Sequence, residues 1–277
     1  MKNKIFRNNS KYYDKQNNRI IFLIQKAHNE FWDKHWAAID LEKSITSISK
    51  FDFVSRVTKK YLHPTNGPIL EGGCGIGRNV FALIKNGFSC IGVDNAKKTV
   101  ARVNEVMPDI DVRYGDVRKL DFIDSYFAGY WSAGVIEHFW NGYDETLFEM
   151  RRVLRNGGYL FLAFPCMSLL RILKCRIRCF QDFQGADDLM GFYQFALDEK
   201  RVIKDLKNFS FHLINKTYFG GLKGFKDEVA LFHRILQRLI DYNGDAIPVK
   251  GIRVMLDKAL SALGANHMIL MIFKLKK

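Results

Sequence analysis

The 277-residue chain lacks any apolar run that approaches the ~20 residues a membrane-spanning helix needs. Its first apolar run, Ile20 to Ile24, is too short for a signal-peptide core and lies too far in, although Lys2, Lys4, Arg7 and Lys11 make the start basic. A soluble, cytoplasmic protein, at most peripheral to a membrane, is the expectation. No internal repeat or low-complexity tract is present. With 48% hydrophobic and 26% charged residues, the composition is that of a globular protein, neither fibrous nor disordered. A paired cysteine framework is missing too. Cys74, Cys90, Cys166, Cys175 and Cys179 are odd in number and scattered, as free thiols of a reducing compartment are. Cys175 and Cys179 lie one helical turn apart, but no second pair or histidine cluster completes a metal site, and none is expected.

Acidic residues are in deficit, and the net charge is +14. The excess is uneven: about +7 over residues 1–63, −1 over 64–164 and +8 over 165–277, counted from the sequence. Either surface lysines keep the protein in solution, or the flanks face an anionic acceptor or surface. Charge alone does not choose.

The middle third alternates short β-rich runs with helical patterns, as βαβ units of a parallel sheet do. Strands are predicted at 68–71, 89–94, 111–116, 129–135 and 158–165, with helices at 78–86, 96–106 and 143–154. The last of these stops at Asn156-Gly157-Gly158, as a helix C-terminus should. Farther on, a helix is expected at 198–208, capped by Asp198, then a strand at 212–219 and a strong helix at 227–242. A buried strand closes the pattern at 267–273. Before Pro64, residues 20–33 and 51–61 read as helices, with Phe31, Trp32 and Trp36 between them. The expected organisation is one domain: an N-terminal helical cap over 1–63, a ligand-binding core over 64–165, and acceptor-side elements with the last two strands over 166–277.

Glycines follow the first core strand directly, in Ile69-Leu70-Glu71-Gly72-Gly73-Cys74-Gly75-Ile76-Gly77-Arg78. Glycine there allows a sharp turn and close approach to a ligand. A dinucleotide fingerprint needs Gly-x-Gly-x-x-Gly, and its last glycine is Arg78 here. Glu71 at the loop mouth repels a pyrophosphate and attracts an ammonium or sulfonium.

This segment resembles motif I of class I S-adenosylmethionine (SAM)-dependent methyltransferases, whose usual form is Asp/Glu-x-Gly-x-Gly-x-Gly. The resemblance implies a Rossmann-like, doubly wound seven-stranded sheet whose last strand is antiparallel, with N-terminal helices and a helical insertion before that strand. Further stations match in order. Asp94, in Gly92-Val93-Asp94-Asn95, stands where the family's acidic residue accepts from both ribose hydroxyls. Asp116, in Gly115-Asp116-Val117, matches its adenine-amine acceptor, with Val117 beside the ring. Residues 131–138, Trp-Ser-Ala-Gly-Val-Ile-Glu-His, resemble the fourth-strand motif, and Arg151 to Gly158 the turn into the fifth strand. The implied SAM contacts are Glu71, Gly72, Gly73, Cys74, Gly75, Gly77, Asp94, Asn95, Asp116, Val117, Ser132 and Ala133. Residues 192–197 and 220–224 resemble the small-molecule branch often called methyltransferase type 11.

Methyl transfer from a sulfonium is an in-line displacement, so orientation does most of the work. A base is needed only for a protonated acceptor, and His138, beyond the fourth strand, is the first candidate. His28 and His35 are secondary ones. Trp32, Trp36, Tyr12 and Tyr13 are candidates to close the cofactor pocket, where an aromatic face suits a sulfonium. The expected acceptor is a small molecule, lipid-linked molecule or glycan. RNA or protein is the alternative that uses the basic flanks, and a non-catalytic SAM-binding protein is a third class. Ser132-Ala133-Gly134-Val135 lacks the Asn/Asp-Pro-Pro-aromatic motif of enzymes that methylate base amino groups. Pro165-Cys166 stands after the wrong strand for a cytosine-C5 enzyme, and Cys166 reads as a loop thiol. Residues 167–180 read as an amphipathic helix with Arg171, Lys174 and Arg178 opposite a broad apolar face. Two roles suit it: a lid with its cations in water, or a helix in the interface of an anionic membrane.

Overall fold

Short apolar runs bounded by turn residues become strands, and amphipathic stretches between them become helices, in the computed structural model. It describes residues 10–24, 27–48, 52–185, 191–242 and 247–277. These group into two compact units, one over Lys26–Leu162, Ile203–Asn215 and Met271–Lys277, the other over Met1–Gln25, Ala163–Val202 and Lys216–Leu270.

Most residues of a seven-stranded sheet fall in the first unit. Its strands are β3 (Ile69–Gly72), β4 (Cys90–Asp94), β5 (Asp111–Tyr114), β6 (Phe127–Ala133), β7 (Leu154–Pro165), β10 (Phe211–Phe219) and β11 (Met268–Leu275), in the order β10-β11-β7-β6-β3-β4-β5. β3 pairs in parallel with β4 and β6, and β4 with β5. The sheet is mostly parallel with one antiparallel-linked end. Every residue of β3 and β4 is buried, as a parallel strand covered on both faces requires. Helices α4 (Arg78–Lys85), α5 (Lys97–Val106) and α6 (Asp144–Val153) follow the strands as expected.

Ahead of the sheet come α1 (Asn29–Ala37), α2 (Leu41–Thr46) and α3 (Phe53–Thr58). The indole N–H of Trp131 in β6 donates to Thr58 Oγ1 at 2.9 Å, and the ring stacks on Phe161 at 4.7 Å. One buried aromatic therefore fastens α3 to the sheet. Of the predicted strands, the fifth begins earlier than expected: β7 takes over at Leu154, directly after α6.

In the second unit a four-stranded sheet runs β8-β1-β2-β9. It is made of β1 (Ser10–Asp14), β2 (Arg19–Leu23), β8 (Gln181–Asp182) and β9 (Phe192–Ala196). Residues 20–33 are thus not one helix. Ile20 and Ile21 are both fully buried, which a strand covered on two faces allows and a surface helix does not. Short apolar runs do not distinguish these cases by period alone. The polar turn decides it. Asp14 accepts from Asn17 N–H, Asn17 Nδ2 and Arg19 Nε at 3.2, 2.8 and 2.9 Å, and Asn18 takes a left-handed φ of +48°.

The remaining helices are α7 (Leu169–Arg176), α8 (Glu199–Asn208), α9 (Gly221–Glu228), α10 (His233–Asp241) and α11 (Ile247–Ala262). The helix expected over 227–242 is broken at Val229, with φ −119° and ψ 93°. The carbonyls that end α9 are taken by lysines, Asp227 O by Lys11 Nζ at 2.9 Å and Glu228 O by Lys174 Nζ at 2.7 Å. Cations at a helix C-terminus satisfy its orphan carbonyls and its dipole together.

The polarity expected for α7 is inverted in part: Ile172 and Cys175 pack on the core and Arg178 is exposed, as expected, but Arg171 is not. Arg171 is fully buried, whereas Leu169, Leu173 and Ile177 are 68%, 54% and 63% exposed. Arg171 turns inward because Glu228 lies there: its carboxylate accepts from Arg171 Nε, Lys11 Nζ and Lys174 Nζ, each at 3.0 Å. Arg171 also donates to Cys166 O at 2.7 Å. Burial pushes the Glu228 carboxyl up, but Lys11, Arg171 and Lys174 outweigh it and hold it below its ordinary value. The stability gained from this pairing is present above the ordinary carboxylate range and is lost as pH falls below it. Glu228→Ala leaves a buried guanidinium without its anion. Urea unfolding should show a loss of about 3–5 kcal/mol, and an apolar replacement of Arg171 in the same chain should recover much of it.

Candidate functional site

The carboxyl ends of β3, β4, β5 and β6 converge on a cleft of about 540 Å³ in the first unit. This is the edge where open α/β sheets take their ligands, around the point where strand order reverses beside β3. Glu71, Gly73 and Cys74 come from β3 and its loop, Asp94 and Asn95 from the end of β4. Gly115 to Arg118 follow β5, Ala133 ends β6, and Gly134, Val135 and His138 follow it. Trp32 and Trp36 of α1 form part of the wall.

The loop after β3 is shaped by glycine. Gly73 and Gly75 have left-handed φ values of +76° and +52°. A β-carbon on Gly73 would meet Val135 Cγ2 at 2.3 Å, and one on Gly75 the Trp36 ring at 2.6 Å. Four backbone N–H groups of this loop are already committed. Gly73 and Cys74 donate to Val93 O at 2.8 and 3.1 Å, Gly77 to Cys74 O at 2.9 Å, and Gly75 to Asp94 Oδ2 at 2.7 Å. A pyrophosphate loop must offer such groups to its ligand, so the loop is built for something else.

What it presents is negative. Glu71 is 2% exposed; Oε1 accepts from Asn79 Nδ2 at 2.6 Å, and Oε2 has no partner among the described residues. Burial raises its pKa to about 8, against the Asn79 hydrogen bond and with Asp94 adding repulsion. Asp94 is raised as well, by burial, although hydrogen bonds from Ala96 and Gly75 oppose the shift. Two buried carboxylates in one cleft suit a ligand with cationic centres. At the far side, Arg118 grips Asp116 with Nε and Nη2, at 3.0 and 2.6 Å. Burial pushes the Asp116 carboxyl up, but Arg118 outweighs it and holds it below its usual value.

The family model described as "Methyltransferase domain" matches residues 70–162, the stretch that builds this cleft. A Mycolicibacterium smegmatis protein named "Probable S-adenosylmethionine-dependent methyltransferase" is 34% identical over 99 residues, which is 35% of this chain. The chain spans only 37% of that relative's length. Among solved structures, a chain of the complex between the Haloferax volcanii Trm112 methyltransferase activator and its candidate methyltransferase superposes with a TM-score of 0.58. It is 11% identical, over 91% of this chain and 97% of that one. A SAM-dependent methyltransferase from Archaeoglobus fulgidus gives 0.53 at 15% identity, over 89% and 99%. The [4+2]-cyclase SpnF gives 0.54 at 14% identity, over 98% and 99%. At such identities the likeness establishes the fold alone.

Within the matched stretch the cleft gathers Glu71, Gly73, Cys74, Asp94, Asn95, Asp116, Val117, Ala133 and His138. Gly72 ends β3, Gly75 lies under Trp36, Gly77 precedes α4 and Ser132 is buried in β6; these four do not line it. The His138 ring packs edge-on against Trp32 at 4.9 Å. His28 is spent as the cap of α1, its Nδ1 accepting from Phe31 N–H, and His35 packs on Phe31 and Trp36. Tyr12 and Tyr13 belong to β1 and are not among the lining residues. Cys74 is no nucleophile, since burial pushes its thiol well above the ordinary range, and burial takes Cys166 to about 12.

Sequence reasoning missed Asn79 and Arg118, the partners of Glu71 and Asp116. A polar residue in the first turn of α4, and a cation two positions after Asp116, were the available signals. It also missed Glu137, buried beside the cleft-lining turn, with Oε2 unpartnered among the described residues and a pKa raised by burial to about 8. Gly75→Ala should displace Trp36 and strain the loop, costing about 1–3 kcal/mol. Denaturant midpoints read the loss, and a variant as stable as the parent contradicts the loop geometry.

Proposed function

We propose that the chain is a SAM-dependent methyltransferase whose acceptor is a small molecule, a lipid-linked molecule or a glycan. The observation that carries this reading is the unpartnered, buried Glu71 oxygen in the wall of a cleft where four loop N–H groups, those of Gly73, Cys74, Gly75 and Gly77, are already committed. That donor set fits the cationic centres of SAM and opposes a pyrophosphate. When bound, SAM supplies a methyl group activated by its sulfonium.

Each residue then has a physical task. Glu71 and Asp94 offer negative charge, Asp94 keeps lone pairs for ribose hydroxyls, and Asp116 accepts from the adenine amine beside Val117. Trp32 and Trp36 exclude water and present ring faces to positive charge. His138 takes the proton where the acceptor carries one. Orientation in a closed cleft contributes most of the acceleration.

The basic flanks had raised RNA or protein as acceptor. Three of the flank cations, Lys11, Arg171 and Lys174, are turned onto the buried Glu228 carboxylate and do not face an acceptor.

SAM should bind with micromolar affinity, and NAD should not bind. Glu71 titrates near 8 without ligand and must be ionised to hold a cation, so SAM affinity rises with pH from 6 to about 8 and then levels off. Calorimetry at pH 7 in buffers of different ionisation enthalpy should show proton release on binding, abolished in Glu71→Gln. Binding of NAD without SAM, or a pH-independent SAM affinity, overturns this assignment.

A further inference from the structure

A second cavity, of about 920 Å³, lies wholly within the other unit. Its volume falls in the range of small-molecule sites, and its wall divides by chemistry. Met167, Leu169, Ile172 and Cys175 supply an apolar side. The three acids of the wall are all engaged. Asp182 pairs with Lys15 at 2.7 Å, Asp198 accepts from Asn18 Nδ2 at 2.7 Å, and Glu199 accepts from Lys216 at 3.0 Å and from the Tyr218 hydroxyl. Among the bases, Lys15 is consumed by Asp182, whereas the side chains of Arg176, Arg178 and Lys200 have no ion-pair or hydrogen-bond partner among the described residues. In the same wall Asn266 is 5% exposed, and its carboxamide oxygen has no partner among them either.

Arg178 is also in an unusual conformation. α7 ends with Cys179 N–H on Lys174 O at 2.9 Å and Arg178 N–H on Cys175 O at 3.1 Å, and Arg178 has φ +58°. This pair of bonds is the helix stop whose left-handed position normally carries glycine. An arginine costs stability there, and backbone strain tolerated at a cavity rim points to a use for the side chain. Three uncommitted cations match a doubly charged headgroup better than a single carboxylate.

We propose that this cavity binds a phosphate-ester amphiphile, its apolar body against Met167, Leu169 and Ile172 and its phosphate held by Arg176, Arg178 and Lys200. The site is separate in its residues from the SAM cleft, and the inference goes beyond the methyltransferase reading without resting on it.

The test uses the full chain and titration calorimetry with decyl phosphate below its micelle concentration, decanol and inorganic phosphate. Decyl phosphate should bind at least about tenfold tighter than either fragment. Arg178→Gly removes the guanidinium and gives the backbone the residue it favours, so Tm should stay or rise while decyl phosphate affinity falls at least about tenfold. SAM affinity should not change in this variant. Decanol or inorganic phosphate binding as tightly as decyl phosphate overturns the proposal, as does an Arg178→Gly variant that binds decyl phosphate like the parent. Absence of decyl phosphate binding with normal SAM binding refutes this site alone. Binding of decyl phosphate without SAM refutes the cofactor reading and supports this one.

Discussion

Asp94 accepts from Gly75 N–H on one oxygen and from Ala96 N–H on the other, at 2.7 and 2.8 Å, and so ties the loop after β3 to the start of α5. The position of Glu71, the left-handed glycines and the seat of Trp36 on Gly75 all depend on this bridge. A carboxylate that accepts two backbone N–H bonds is ordinarily held ionised, yet burial and the nearby Asp33 carboxylate push Asp94 the other way. The cleft is therefore assembled at an electrostatic cost that a cationic ligand relieves.

The central sheet was legible because its signals agree with one another. Glycine and asparagine turns, β-branched runs and amphipathic helices all gave the same boundaries between Ile69 and Val153, within a residue or two. The cleft residues were legible for a different reason: topology alone brings the ends of β3, β4, β5 and β6 together, so the residues just past each strand meet. What periodicity could not give was the four-stranded sheet, because Ile20 to Leu23 is too short to show a period and its fate was set by the Asp14 turn. Nor did the sequence show that Asn79 and Arg118 complete the carboxylates, since those pairings depend on side-chain reach.

The inversion of α7 has a simple electrostatic cause. A helical wheel treats every arginine as solvent-facing, but a guanidinium follows its anion, and Glu228, distant in sequence, is buried. Once Glu228 has gathered Arg171, Lys174 and Lys11, Leu169, Leu173 and Ile177 are left exposed, while Ile172 and Cys175 still pack on the cluster of Ile20 and Phe22. Charge pairing between remote segments can thus override local amphipathicity, and one buried acid is enough.

Helix α1 carries both tryptophans of the cleft wall, yet none of its residues is buried. It is held to α5 chiefly by polar bonds: Asp33 accepts from Thr99 N–H and Oγ1 at 2.9 and 3.0 Å, and Arg102 donates to Trp36 O and Ile39 O at 3.2 and 2.7 Å. Detaching such a helix exposes little apolar surface, so it opens at a fraction of the free energy that unfolds the sheet. The cleft therefore behaves as a rigid bed with a loose shutter. Weakening the Thr99 and Arg102 bonds should therefore loosen the tryptophan wall while leaving the polar groups at the strand ends in place.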